Sequence, residues 1–232
     1  MHARSAHRGR RTRPPVNRGR EVIKRSIANL YSWSADRVYE PLVVQRAFPL
    51  LGGNLNELAL EQGRRAVANA GTRPLLDMPV GTAFFTVTAA AAHDGLVVGA
   101  DIAAGMVKRA KRAGAEAGVD NLVAVQTEAH RLPFADHSFG AILCTNGLQV
   151  IPGLEEAVAE LARVLAPGAS LYSSAITMPV AAALPSSVGR KLPTVLKSRR
   201  ELVVALTEAG LALRSVRSQR FATLIEALKP VA

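Results

Sequence analysis

The sequence predicts an α/β fold in which a mostly parallel, doubly wound sheet ends in one antiparallel strand. Two patterns carry that expectation. From Arg73 to Ile176, short apolar runs alternate with stretches of helical period, as strands do when helical crossovers join them and cover both faces of a sheet. Near the end, two further apolar runs, Leu211 to Arg217 and Phe221 to Leu228, are joined only by Ser218-Gln219-Arg220. A parallel pair needs a crossover of about a dozen residues, so these two must be antiparallel. Composition allows the core that such a sheet requires. Of 232 residues, 49% are hydrophobic and 20% charged, too apolar a balance for a wholly disordered chain. Aromatic residues are only 4%, so Ala, Val and Leu must build the core, and stacking platforms for single-stranded nucleic acid are scarce.

The elements follow in order. Val22 to Leu30 and Pro41 to Leu51 read as helices, and Gly52-Gly53 breaks the chain. Asn54 can cap a helix running to about Ala70, with Leu55, Leu58, Leu60 and Ala66 on its apolar face. Gly71 ends it, at the place of a left-handed C-cap. Pro74 to Met78 reads as the first strand, Ala83 to Ala92 as a helix, and Gly95 to Ala100 as the second strand. Ala103 to Ala113 is a helix with Gly114 just beyond its end. Leu122 to Gln126 and Phe139 to Thr145 are the third and fourth strands. Leu154, Val158, Leu161 and Leu165 share one face of the next helix, and Pro167-Gly168 turns the chain into a strand from Ser170 to Ile176. Arg199 to Ala209 is the helix before the final pair.

Charge is unevenly spread. The formal net charge is +11, but residues 1–25 hold nine basic side chains against one acid, about +8, so the other 207 residues carry only about +3. Residues 1–20, with Pro14-Pro15 and no helical or strand period, read as a disordered basic tail. Such a tail is either an electrostatic arm for nucleic acid or an acidic membrane surface, or simply a solvated extension, and the extension is favoured. The single cysteine, Cys144, excludes an intramolecular disulfide and fits a reducing, cytoplasmic compartment. No apolar run reaches the ~18 residues of a membrane span, and no apolar segment follows the basic start as in a secretory signal.

In doubly wound sheets ligands bind beyond the carboxyl ends of the strands, where strand order reverses. Asp77 through Ala83 follow the first strand, and Gly81 there lets backbone approach a ligand closely. Asp101 follows the second strand, 20 residues beyond Gly81, where a carboxylate can accept both hydroxyls of a ribose. Glu128 follows the third strand and suits an adenine amino group, with the Ala129 amide beside it for a ring nitrogen. Each residue has a plainer use: a turn for Gly81, a helix cap for Asp101, a solvated loop for Glu128. Together they follow three consecutive strands, which those uses do not require. A dinucleotide site wants G-x-G-x-x-G, but Ala83 and Thr86 occupy the later glycine places, so S-adenosylmethionine (SAM) is favoured over NAD.

Four blocks resemble class I SAM-dependent methyltransferases of the ubiquinone/menaquinone-biosynthesis type. They are Leu76 through Thr82, Val98 through Ile102 with Met106, Glu128 through Phe139, and Leu161 through Gly168. The third and fourth are the specific ones, and the match is good over about residues 70–175. The resemblance implies a Rossmann-like, seven-stranded sheet with a reversed last strand. It implies SAM as cofactor, with Asp77 and Gly81 lining its methionine end, Asp101 its ribose and Glu128 its adenine. Pro79, Thr82, Ile102, Met106, Ala129 and Thr145 are further candidate cofactor-binding residues. Departures are Ala83 for a Gly, Gly140 for an Asp, Gln149 and Val150 for paired His, Gly153 for an Asp, and Ala166 and Ala169 for Lys and Gly.

These features assign a SAM-dependent methyl transfer to a small, apolar acceptor. A nucleic-acid-binding protein acting through its tail, and a methyltransferase fold without activity, are the alternatives. The catalytic residue is unknown. Asn146 and Gln149 are weak candidates, since amides orient rather than abstract protons. His130 and His137 read as loop residues, and the His and Cys spacing gives no metal site. Residues 21–70 form a helical cap carrying Tyr31, Trp33 and Tyr39. Residues 71–232 form the cofactor-binding domain, and Thr177 to Ser198 a lid segment.

Overall fold

The computed structural model describes residues 54–177, 197–219 and 222–231. The tail, the two earliest helices, the aromatic group at Tyr31–Tyr39 and nearly all of the expected lid segment lie outside the described residues. Helix α1 (Leu55–Ala70) leads into β1 (Leu75–Asp77), α2 (Phe84–Ala91), β2 (Val97–Asp101), α3 (Ala104–Glu116), β3 (Leu122–Gln126) and β4 (Phe139–Thr145). A short 3₁₀ turn (Leu148–Val150), α4 (Leu154–Val164), β5 (Leu165–Ile176), α5 (Arg199–Glu208), β6 (Ala212–Gln219) and β7 (Ala222–Leu228) complete the chain. The seven strands form one sheet in the order β3-β2-β1-β4-β5-β7-β6.

β1 pairs in parallel with both β2 and β4, so the chain winds outward from β1 in one direction and then from β4 in the other. The order reverses between β1 and β4, which opens a crevice at their carboxyl ends. β7 runs antiparallel to both neighbours, β5 and β6, as the short link between the last two strands requires.

Both faces of the sheet are covered. Successive strand side chains point to opposite faces, so Leu75, Val97, Ala141, Leu143 and Tyr172 pack with Ala66 and Ala70 of α1 and Ala89 and Ala90 of α2. Leu76, Val98, Ile142 and Cys144 pack on the other side with Leu154, Val158 and Leu161 of α4 and Leu202 and Leu206 of α5. Each such Leu or Val contributes about 1.5–3 kcal/mol on burial. The Gln62 side chain of α1 donates to the Ser173 and Ile225 carbonyls at 3.1 and 3.3 Å. The last helix of the expected cap region therefore helps to cover the sheet.

Several local expectations need correction. Asn54 precedes α1 as expected, but its side chain makes no capping hydrogen bond. Gly71 has φ 61 but ψ −121, outside the left-handed helical region. Gly114 lies inside α3, because an added Cβ would sit 3.3 Å from Leu122 Cδ2; helix and strand approach closely there. Gly118, with φ +65, takes the positive-φ position after the helix. Pro167 and Gly168 do not precede β5 but lie within it. The turn survives as a register jump, since Leu165 pairs with Phe139 while Ser170 already pairs with Ala141, and Gly168 has φ +78. Ser198 and Glu201 form a reciprocal capping box at the start of α5, an S-x-x-E signal present in the sequence.

Gly140 follows Phe139 where the resemblance has Asp, and packing explains it. A Cβ on Gly140 would lie 2.7 Å from both the Ala70 carbonyl oxygen and Arg73 Cβ. Both are attached to the end of α1 and cannot rotate away. Gly140→Ala is expected to lose about 1–3 kcal/mol, read as a lower urea midpoint with an unchanged slope.

Candidate functional site

Register places the expected residues along one rim. Asp77, the last residue of β1, is level with Gly99 of β2 and Leu143 of β4. Asp101, the last residue of β2, is level with Gln126 of β3, two positions before Glu128. Thr145 ends β4 on the same side. Backbone bonds join these ends: Val80 N–H donates to the Ala100 carbonyl at 2.8 Å, Thr127 N–H to Asp101 at 2.9 Å and Met78 N–H to Leu143 at 3.0 Å. The Gln126 side chain donates to the Ile102 carbonyl at 3.0 Å.

The loop after β1 is held by carboxylates at both ends. Gly81 N–H donates to Asp101 Oδ2 at 3.0 Å, and Ala103 N–H donates to Asp101 Oδ1 at 2.9 Å. Asp101 thus fixes its own turn, as its plainer use required, and also grips the neighbouring loop. A carboxylate offers about four lone-pair sites, so backbone donors do not use all of its acceptor capacity. Gly81 itself has φ +54, and a Cβ built there meets nothing within 4 Å. The space over this backbone is open, and a side chain would fill it.

Asp77 is only 2% exposed. Thr86 Oγ1, on the first turns of α2, donates to its Oδ2, while its Oδ1 is buried with no hydrogen-bond partner among the described residues. Burial, reinforced by the charge of Asp101 and opposed by the Thr86 bond, pushes Asp77 up to about 7. Burial also raises Asp101, against the pull of its backbone N–H donors. Cys144 lies behind this rim. Burial and the Asp77 charge push its thiol far above the ordinary range, so it stays protonated and is no nucleophile.

The later glycine places of a dinucleotide motif are closed. Ala83 is fully buried with φ 63, and Thr86 is fully buried against Asp77. A left-handed Ala costs roughly 1–2 kcal/mol, offset in part here by packing against Val80, Val107 and Ala110.

Among the other expected residues, Pro79, Ile102 and Thr145 are half-buried, Glu128 is exposed, and Thr82, Met106 and Ala129 are buried. Met106 is 1% exposed, so its side chain supports the floor of the site more than its open surface. Past β4, Asn146 and Gln149 are buried together, and Gln149 Nε2 donates to the Asn146 carbonyl at 2.9 Å. His130 donates through Nε2 to the Pro152 carbonyl, which ties the loop after β3 to the start of α4. His137 stands apart, beside Lys229. Among the described residues, no group of three or more His, Cys, Asp or Glu could hold a metal ion. No helix there is long and apolar enough to cross a membrane.

Two contacts were not legible in the sequence. One is the Thr86 bond to Asp77. The other is Gly147, where an added Cβ would stand 2.1 Å from Pro79 Cδ. The loops after β1 and β4 thus meet without room for a methyl group. The only signal for it was a Gly just after a strand.

Chemically, the rim offers a buried anionic acceptor at Asp77, an open backbone at Gly81 and a carboxylate with spare acceptor sites at Asp101. That set suits a ligand with a cationic end and paired hydroxyls. Residues 76–173 match the family model described as a methyltransferase domain. A demethylmenaquinone methyltransferase of Beutenbergia cavernae is 35% identical over 151 residues, 63% of this chain and 60% of that protein. One of Clavibacter sepedonicus is 36% identical over 116 residues, 50% of this chain and 46% of that protein. The chain therefore spans less than two thirds of the length of either relative. A geranyl diphosphate C-methyltransferase from Streptomyces coelicolor has the same fold, with a TM-score of 0.71 at 15% identity over 93% of this chain and 100% of that one. So does the [4+2]-cyclase SpnF, with a TM-score of 0.66 at 18% identity over 76% of this chain and 81% of that one; the frame alone does not fix the reaction. Residues 76–173 therefore match a methyltransferase-domain model and lie on a doubly wound α/β sheet.

Proposed function

We propose that the chain is a class I SAM-dependent methyltransferase acting on a small, largely apolar acceptor. The observation that carries this reading is the convergence of Asp77, Gly81 and Asp101 at the carboxyl ends of β1 and β2, beside the crevice, with Asp101 bonded to the Gly81 amide and one oxygen of Asp77 without a partner among the described residues. The relatives support it by name, since both are demethylmenaquinone methyltransferases.

The residues present fit the cofactor. Asp77 would face the cationic amino group of its methionine end, and Gly81 would let that end lie against the backbone. Asp101 would accept from the ribose hydroxyls. Glu128 would accept from the adenine amino group and the Ala129 amide would meet the ring, with Pro79, Thr82, Ile102, Met106 and Thr145 as further contacts. SAM, when bound, supplies a methyl group already activated by its sulfonium. The chain's own work is to hold the acceptor atom in line with that methyl and to exclude water, and such positioning contributes up to about 7–11 kcal/mol. Met78, Leu148 and Ile151 pack in the buried core behind the rim. A cytoplasmic location suits the single, buried thiol of Cys144.

Calorimetric titration with SAM and with its demethylated product, S-adenosylhomocysteine (SAH), tests this reading on wild type and Asp101→Asn. Loss of a charged hydrogen bond is worth about 1.5–3 kcal/mol, so the variant is expected to bind at least about tenfold more weakly. A melting temperature near that of wild type would show that the Asp101 turn is intact. Equal affinity in both proteins, or no binding to wild type, would refute it.

A further inference from the structure

Thr86 is sealed into the first turn of α2. It is fully buried, and the single hydrogen of its hydroxyl goes to Asp77 Oδ2. A helical Thr commonly returns that hydrogen to a carbonyl one turn earlier. Thr207 of α5 does so, donating to the Val203 and Val204 carbonyls, both at 2.9 Å. Thr86 instead donates across the loop after β1. Neither partner can drift. Ala89 and Ala90 of the same helix pack on the sheet against Leu75, and Asp77 is the last residue of a strand paired on both sides.

One consequence is directional. With Oδ2 held by Thr86, Oδ1 is the oxygen left with no partner among the described residues. It is the one with its full acceptor capacity for a ligand, and a buried acceptor left bare is destabilising. The other consequence is electrostatic. A bond donated to the ionised form favours that form. Burial and the charge of Asp101, at the end of β2, oppose ionisation of Asp77, and the Thr86 bond favours it. Cys144 on β4 is a further titratable group that senses Asp77, and it stays protonated. Resting on the methyltransferase reading above, we propose that Thr86 is a positioning residue for the cofactor: it holds Asp77 by Oδ2 so that Oδ1 takes the amino group of the methionine end. The hydroxyl acts only through Asp77 and touches no part of the cofactor.

The test titrates the full chain with SAH and with methylthioadenosine, which keeps the adenosine and the sulfur but has no amino-acid end. Thr86→Val keeps the shape of the side chain and removes the donor. At pH 7 it is expected to weaken SAH by at least about tenfold and methylthioadenosine by less than about twofold, which also shows that the variant is folded. Wild-type SAH affinity should rise with pH through neutrality, and in Thr86→Val that rise should move to higher pH, because the lost bond favoured the ionised carboxyl. Thr86→Ser restores the donor and should bind SAH within about threefold of wild type. Added to Asp77→Asn, Thr86→Val should weaken SAH by less than about twofold more, since residues that act as a unit are not additive. If Thr86→Val does not fold, Thr86→Ala removes the same donor and carries the same expectations. Any of these results would overturn the proposal: unchanged SAH affinity, an equal loss for both ligands, a loss that Thr86→Ser does not restore, an unmoved pH profile, or a full further loss in Asp77→Asn. Failure of wild type to bind SAH would instead remove the methyltransferase reading beneath it.

Discussion

Asp77→Asn is expected to make the free protein more stable at pH 8 and a much poorer cofactor binder. Asp77 is fully buried, and its carboxyl is raised from 3.8 to about 7, first by desolvation and then by the Asp101 charge, with the Thr86 bond opposing. The sign follows from linkage. Between pH 3.8 and about 7 the folded chain keeps a proton here that the unfolded chain has lost. Stability from this group is therefore full below the unfolded value and declines as pH rises through the folded one. A tenfold difference in proton affinity between the two states is worth about 1.4 kcal/mol, so wild type gives up on the order of 2–4 kcal/mol by pH 8. Asn at this position never ionises and still accepts from Thr86. The gap in unfolding free energy between variant and wild type should widen from about pH 4 to pH 7 and then level off. Binding should move oppositely. A cationic methionine end favours ionised Asp77, so wild-type SAM affinity should rise with pH through neutrality, and the variant should lose both that pH dependence and at least about tenfold in affinity. Urea unfolding and calorimetry across the pH range check both halves. A variant less stable than wild type at pH 8 would mean that Asp77 is ionised and well solvated.

Gly147→Ala is expected to damage stability and binding together. The Gly147 backbone, with φ −107, would accept any residue, so the effect is purely steric. The new Cβ would lie 2.1 Å from Pro79 Cδ, 2.7 Å from Pro79 Cγ and 3.2 Å from Cys144 Sγ. A proline ring cannot rotate aside, so the loops after β1 and β4 must part. Overpacking of this kind costs about 1–3 kcal/mol, and a rim displaced by about 1 Å can reduce turnover by about a hundredfold. Gly63→Ala provides the opposite sign. Gly63 lies inside α1, and an added Cβ meets nothing within 4 Å. That change should stabilise the chain by about 0.5–1 kcal/mol and leave SAM affinity alone. Denaturation midpoints and SAM titrations on the two variants separate a local rim effect from general sensitivity to added methyl groups.

The two variants also show where sequence reading succeeds and stops. The placement of Asp77, Gly81, Asp101 and Glu128 along one rim was legible because strand ends can be read from apolar runs. The reversed β7 was legible from a link too short for a crossover. Thr86 and Gly147 were not, because their roles depend on which loops the sheet brings into contact. The resemblance had the same limit. Its two most specific blocks meet through Arg163, whose guanidinium donates to the Leu132 and Phe134 carbonyls and pairs with Glu160 and Asp136. Those motifs fasten the loop between β3 and β4 onto α4, so they report the frame more than the reaction. Gly114, Pro167 and Gly168 differ from expectation because a glycine or proline marks a tight place in the chain. Whether that place is an end, a bulge or a close approach is decided by its neighbour.

A crystal structure of the chain with SAH bound is the most direct test of the shared crevice. The expected density lies over Gly81, with both ribose hydroxyls about 3 Å from the Asp101 carboxylate, the amino group beside Asp77 and the adenine toward Glu128 and Ala129. SAH found elsewhere on the chain, or an Asp101 carboxylate that still contacts only Gly81 and Ala103, would contradict it.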